Sequence, residues 1–154
     1  MSNDLHLHDA PHELLIRDAI ARTLAVVGLA GVALIHVLDA HDTFQSAAYK
    51  GWLYVALIVG CLATAGVLAR RSDSRAWLAT LLLPLGAFVA FVYSRTVGLP
   101  AGADDIGNWW EPLGLASLFV EGVLVALAAH VLLERSAPAV ELSRQPRVLP
   151  RSLS

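Results

Sequence analysis

The sequence predicts an all-α integral membrane protein, an up-down four-helix transmembrane bundle with both termini in the cytoplasm. Composition, four long apolar runs and an uneven spread of Lys and Arg lead there. Of 154 residues, 56% are hydrophobic and only 16% charged, against roughly a quarter charged in soluble domains. The charges gather in short clusters between the runs. A bilayer core about 30 Å thick needs roughly 20 apolar residues in a helix, and each run meets that length.

The elements follow in order. Residues 1–16 read as a cytoplasmic N-terminal segment whose His6, His8 and His12 sit in a solvated tail. The segment is acidic, and the apolar run behind it exceeds a signal-peptide core, so span one at 19–38 reads as retained. Span two covers 51–69. The connection "RRSDSR" leads to span three at 76–94, where Pro84 removes a backbone donor and should kink the helix. Span four covers 112–133, with Pro112 suited to its first turn and Glu111 beside the positive end of its dipole. The transmembrane domain is thus 17–134. Residues 135–154 hold three prolines and scattered arginines without periodicity, which predicts a disordered cytoplasmic tail.

Orientation follows from the cations. Arg17, Arg22, Arg70, Arg71, Arg75, Arg135, Arg144, Arg147 and Arg151 belong to one side. The other side has only Lys50 and Arg95 against Asp39, Asp42, Asp104, Asp105 and Glu111. Trp52, Tyr54, Tyr93, Trp109 and Trp110 would form an outer aromatic belt, with Trp77 at the inner interface. The plasma membrane is the expected location and the lipid bilayer the first partner. A net charge of -2, with no basic patch and no phosphate loop, excludes nucleic acid as a partner. Cys61 is the single cysteine, so neither an intrachain disulfide nor paired-cysteine redox chemistry is available. It reads as an inert buried thiol.

Glu121 is the residue the pattern does not explain. It lies nine residues past Pro112, roughly 14 Å into the span and close to the midplane, where a charge costs about 3 kcal/mol or more. Leu29, Gly60 and Ala87 are its expected neighbours at that depth, and Cys61, Thr64 and Ser117 the nearest polar groups. Gly114, Ser117, Glu121, Val125 and Ala128 share one small, slightly polar helix face, which should point into the bundle. Two roles compete: a protonated structural contact, or a site for a proton, cation or cationic solute.

A second group lies where "IHVLDAHDTF" ends span one. His36 and Asp39 share a helical face, and His41 turns toward them only if the helix ends near Asp39. With Asp42, Arg95, Asp104, Asp105 and Glu111 they form an outer polar cluster. His36, Asp39, His41 and Glu111 are ligand types that suit a divalent transition metal such as zinc, copper, iron or manganese. Capping is the simpler reading: Asp42 with Gln45 resembles a capping box for span two. Haem is argued against, because His36 and His130, the two histidines inside spans, occupy opposite leaflets. Arg95 facing several carboxylates should clamp the loop, with Gly98 and Pro100 setting its turn.

"YSRTVGLPAGADDIGNWWEPLG", residues 93–114, carries a resemblance. It resembles small four-span membrane proteins of high-GC Gram-positive bacteria, whose third span ends in an Arg-Thr-x-Gly-x-Pro turn. Matching positions are Arg95, Thr96, Gly98 and Pro100, His36 and His41, Glu111, and Glu121. The resemblance covers about residues 20–133 and implies topology and candidate residues, with no activity assigned to the family. This chain has "LDAHD" where the family has a proline-glutamate-histidine loop.

Three functional classes therefore stand. The first, and the one the sequence favours, is a noncatalytic membrane module with a polar extracytoplasmic surface, either an accessory subunit of a larger membrane complex or a homo-oligomer. The second is a small proton- or cation-coupled transporter using Glu121, which at four spans would need to dimerise to enclose a pathway. The third is a metal-binding protein or metal-dependent enzyme at the outer face. An enzyme carries less weight than a noncatalytic role.

Overall fold

In the computed structural model, which describes residues 6–100 and 105–144 and side chains within 12–100 and 105–137, the chain forms four helices. They are α1 (His6–Ser46), α2 (Ala48–Arg70), α3 (Ser74–Thr96) and α4 (Pro112–Arg144). All four contain stretches long and apolar enough to cross a membrane: His12–Ser46, Ala48–Arg70, Ser74–Thr96 and Pro112–Ala137. Helices close every interior backbone hydrogen bond within one segment, which a hydrocarbon surrounding demands. In the ring, α1 packs most extensively on α2, and α3 on α4, with α1 on α4 and α2 on α3 completing it. Among the described residues α2 and α4 make no close backbone approach, so they face each other across the ring.

Three boundaries differ from the sequence reading. α1 begins at His6, within the segment expected to be a solvated tail. α1 continues through the expected loop to Ser46, and Ala47 alone, in an extended conformation, separates it from α2. The Asp42–Gln45 capping box is therefore not formed; Ala47 is the N-cap of α2 and has no side-chain bond. "DAHDTFQS" contains no proline or glycine, and Thr43 and Ser46 turn their hydroxyls back onto Asp39 and the Thr43 carbonyl, at 3.2 and 2.9 Å. Nothing there stops a helix, so it runs on. At the other extreme α4 continues to Arg144, into the stretch expected to be disordered. Residues 1–5, 101–104 and 145–154 lie outside the described residues.

The bundle divides into two unlike halves. The apolar core comprises Ala25, Leu29, Val32 and Ala33 of α1, Cys61, Ala65 and Leu68 of α2, Ala76 and Trp77 of α3, and Leu124, Ala128 and Val131 of α4. Every one lies in the half nearer the chain termini. Close helix approach makes this half solid: a Cβ added at Gly28 of α1 would come within 2.7 Å of Leu124 on α4. Buried residues toward the opposite end are mostly polar: His36, Thr43, Ser94, Arg95, Ser117 and Glu121. We call that end, where α1 meets α2 and α3 connects to α4, the polar end.

The terminal end is fastened by Asp18. Its Oδ1 accepts from Ser72 Oγ at 2.7 Å and from Arg135 Nη2 at 3.2 Å, joining α1, the α2–α3 connection and α4. Arg135 also donates to Ser72 and lies 5.8 Å from the centre of the Trp77 ring. Trp77 is fully buried and donates from Nε1 to Ser72 at 3.3 Å. It is a core residue, not the interfacial aromatic expected. Asp73 caps α3, accepting from the Arg75 amide at 2.7 Å, and this bond holds its carboxyl below the usual range.

Candidate functional site

The polar half encloses a cavity of about 620 Å³, lined by all four helices and by the connection before α4. At the polar end its wall is a charged clamp. α3 terminates at Val97, whose N–H bonds to the Tyr93 carbonyl at 2.9 Å, and Gly98 follows with φ 88°. That left-handed conformation favours glycine, and it turns the chain back toward Arg95. There Arg95, 6% exposed, donates to Asp105 Oδ1 at 2.9 Å and to Glu111. Its guanidinium sits 4.7 Å from the centre of the Phe91 ring. Lys50 of α2 reaches the same Asp105 at 3.3 Å, and Tyr49 Oη donates to the Pro100 carbonyl at 2.7 Å. The expected clamp role of Arg95 and the expected turn at Gly98 both have a structural counterpart.

Deeper, α1 lines the cavity with His36, Asp39, Thr43 and Ser46, spaced three or four residues apart and so on one face. Tyr54 of α2 donates to Asp39 Oδ2 at 2.9 Å and packs edge-on against His36, ring centres 4.6 Å apart. His36 Nδ1 lies 2.9 Å from the Val32 carbonyl; a carbonyl can only accept, so Nδ1 carries the proton and Nε2 is left to face the cavity.

Glu121 forms the floor and is 1% exposed. Ser117 Oγ donates to its Oε1 at 2.6 Å, while Oε2 is buried with no partner. His36 Nε2 stands 3.9 Å from Oε1, beyond hydrogen-bond reach. This corrects the sequence reading, which placed His36 at the outer surface and only Leu29, Gly60 and Ala87 at Glu121's depth. Two physical causes produce the difference. Because α1 runs to Ser46, His36 lies about 15 Å below its end. Side chains also lean toward the N-terminus of their own helix. On antiparallel α1 and α4, His36 therefore leans down and Glu121 leans up, closing a gap that backbone depth alone leaves open.

Of the sequence-selected residues, His36, Asp39, Asp42, Arg95, Asp105, Glu111 and Glu121 line this one cavity. His41 does not. The unbroken helix turns it about 140° from His36, and it is exposed. Asp104 lies outside the described residues. The metal quartet His36, Asp39, His41 and Glu111 is consequently not assembled: His41 faces away, and Glu111 is engaged by Arg95. Among the described residues no three His, Cys, Asp or Glu side chains converge on a common point for a metal. His130 pairs with Glu134 at 3.3 Å on the exposed surface, far from His36 in the fold.

Tyr54, Thr43 and Lys50 are site residues that sequence reasoning missed. Tyr54 was expected in the aromatic belt, yet its phenol is turned inward to Asp39, while Trp52, Tyr93 and Trp110 remain exposed. The usable signal was an unpaired aspartate on a helix face at the depth of a phenol.

Fold and site together define a bundle of four helices, each long and apolar enough to cross a membrane, with a polar cavity between them and a carboxyl group at the cavity floor. No family model matches the chain, and no curated protein or solved structure matches it.

Proposed function

We propose that this protein is a small membrane carrier that binds a proton or cation at Glu121, reached through the cavity from the polar end. The supporting observation is the floor itself: a buried carboxyl group with one oxygen held by Ser117 and the other buried without a partner, on a residue that lines a cavity of about 620 Å³. Intramembrane carboxyl groups are expensive, and those facing cavities commonly serve ion or proton pathways. A purely structural contact would satisfy both oxygens or lie between helices, and a subunit contact would face outward. The arginine distribution directs the polar end outward and both termini to the cytoplasm, as does the resemblance to actinobacterial four-span proteins. The solid terminal half closes the cavity toward the cytoplasm in this conformation, as one state of a carrier requires. A homo-oligomer remains the simplest way for four spans to complete a pathway.

The test is proton flux in liposomes reconstituted with the protein under an imposed pH gradient, followed by an internal pH-sensitive dye. Wild type should dissipate the gradient faster than protein-free liposomes, and Glu121→Gln should abolish the difference. Equal flux by wild type and Glu121→Gln overturns the proposal.

A further inference from the structure

Resting on that reading, we infer that the cation carried is lipophilic, an amphipathic cation that reaches the cavity sideways from the bilayer between α2 and α3. The first ground is charge balance. Lys50 and Arg95 are matched by Asp105 and Glu111 in the clamp. Besides these, Asp39, Asp42 and Glu121 line the cavity with no Lys or Arg partner among the described residues, and Asp39 is held only by the neutral hydroxyls of Tyr54 and Thr43. The interior is therefore complementary to positive charge. An anion would meet those acids instead.

The second ground is the wall. Opposite these acids the cavity is lined by aliphatic side chains of α2 and α3, Leu57 and Leu83 among them. A small hydrated ion gains nothing from such a surface, whereas an organic cation buries its apolar body there. The volume is also that of a site for a drug-sized molecule, about 300–1,000 Å³.

The third ground is the seam. α2 and α3 approach closely at Gly60, where an added Cβ would meet Leu83 at 3.2 Å. Toward the polar end Leu53, Ala56, Leu82, Gly86 and Ala90 of these two helices line the cavity while also being exposed. Residues that belong to both the inner wall and the outer surface mark an opening, and this one lies at membrane depth. Ala56, Gly86 and Ala90 leave it unblocked. A Cβ on Gly86 meets nothing within 4 Å, so a larger side chain there fills the gap without disturbing the helices.

The experiment is binding of tritiated tetraphenylphosphonium, at equilibrium and over time, to the full-length protein in lipid nanodiscs, with empty nanodiscs subtracted. Competition by tetraphenylborate, of the same shape and opposite charge, and by tetramethylammonium, a hydrophilic cation, defines the class. Saturable tetraphenylphosphonium binding is expected. It should be weakened at least tenfold by Glu121→Gln, Gly86→Leu should slow its association at least tenfold, and neither competitor should displace it. Both variants should keep wild-type helical circular dichroism. Displacement by tetramethylammonium at equal concentration would overturn the lipophilic class, and displacement by tetraphenylborate the charge argument. An undiminished association rate in Gly86→Leu would overturn the lateral route. Wild-type protein that carries protons through Glu121 but binds no tetraphenylphosphonium refutes this inference alone. Absence of both Glu121-dependent flux and binding refutes the carrier reading beneath it.

Discussion

Replacing Arg95 by Met removes the one cation that joins the end of α3 to the connection before α4, while keeping an unbranched apolar stem. Deleting one partner of a fully buried ion pair costs about 3–5 kcal/mol. Here the cation is 6% exposed, but its partners Asp105 and Glu111 are 39% and 31% exposed. Water therefore recovers part of their solvation, and Lys50 still stands 3.3 Å from Asp105. Two charge-assisted bonds discounted for that exposure contribute about 1 kcal/mol each. The guanidinium over Phe91 adds about 0.5–1 kcal/mol. Arg95→Met should thus lose about 2–3 kcal/mol. Arg95→Lys should lose about half of that, since an ammonium cannot engage both carboxylates in the planar fork. The assay is reversible unfolding in mixed micelles by added sodium dodecyl sulfate, read by circular dichroism. A cycle pairing Arg95→Met with Glu111→Gln should show a coupling of about 1 kcal/mol. A loss under about 0.5 kcal/mol for Arg95→Met, or additivity in the cycle, refutes the reasoning.

Trp77→Ala should cost about 3–5 kcal/mol, because a fully buried indole and its bond to Ser72 are both lost. Trp52→Ala, on the exposed surface, should stay within about 0.5 kcal/mol in the same unfolding assay. Gly28→Leu should destabilise by about 1–3 kcal/mol through its clash with Leu124, with the helix content of the folded state unchanged by circular dichroism. The Asp73 carboxyl titrates below its ordinary range in the folded chain, so its stabilisation is full above the unfolded value and lost as pH falls through the lowered folded value. Asp73→Asn keeps the cap at every pH. Its thermal midpoint should therefore overtake that of wild type on acidification below the usual carboxylate range; parallel pH curves would contradict this.

How much was legible in the sequence varies with the kind of physics involved. Span number and position follow from apolar length, and four such helices are present. Gly98 and Arg95 were legible because a positive φ and a lone cation among carboxylates each admit few arrangements. Ser117 as the partner of Glu121 followed from helical spacing alone. The extent of α1 did not, since "LDAHDTFQS" is polar enough to resemble a loop yet lacks any residue that ends a helix. That one boundary carried the errors in His36, His41 and Asp42 with it. The separation of the bundle into a solid half and a hollow half was also hidden. It depends on which helix faces meet, and a run apolar on every side does not mark its inner face.

The account turns on whether the floor of the cavity is open to water from the polar end. The single native cysteine makes this measurable. In a Cys61→Ala background, Ser117→Cys places a thiol on the cavity wall one helical turn from Glu121, and Phe119→Cys places one on the exposed outer face of α4. Whole cells are treated with a charged, membrane-impermeant methanethiosulfonate. The account predicts that Ser117→Cys is modified from outside while Phe119→Cys, facing hydrocarbon, is not. Protection of Ser117→Cys in intact cells, with Phe119→Cys equally unreactive, would contradict it.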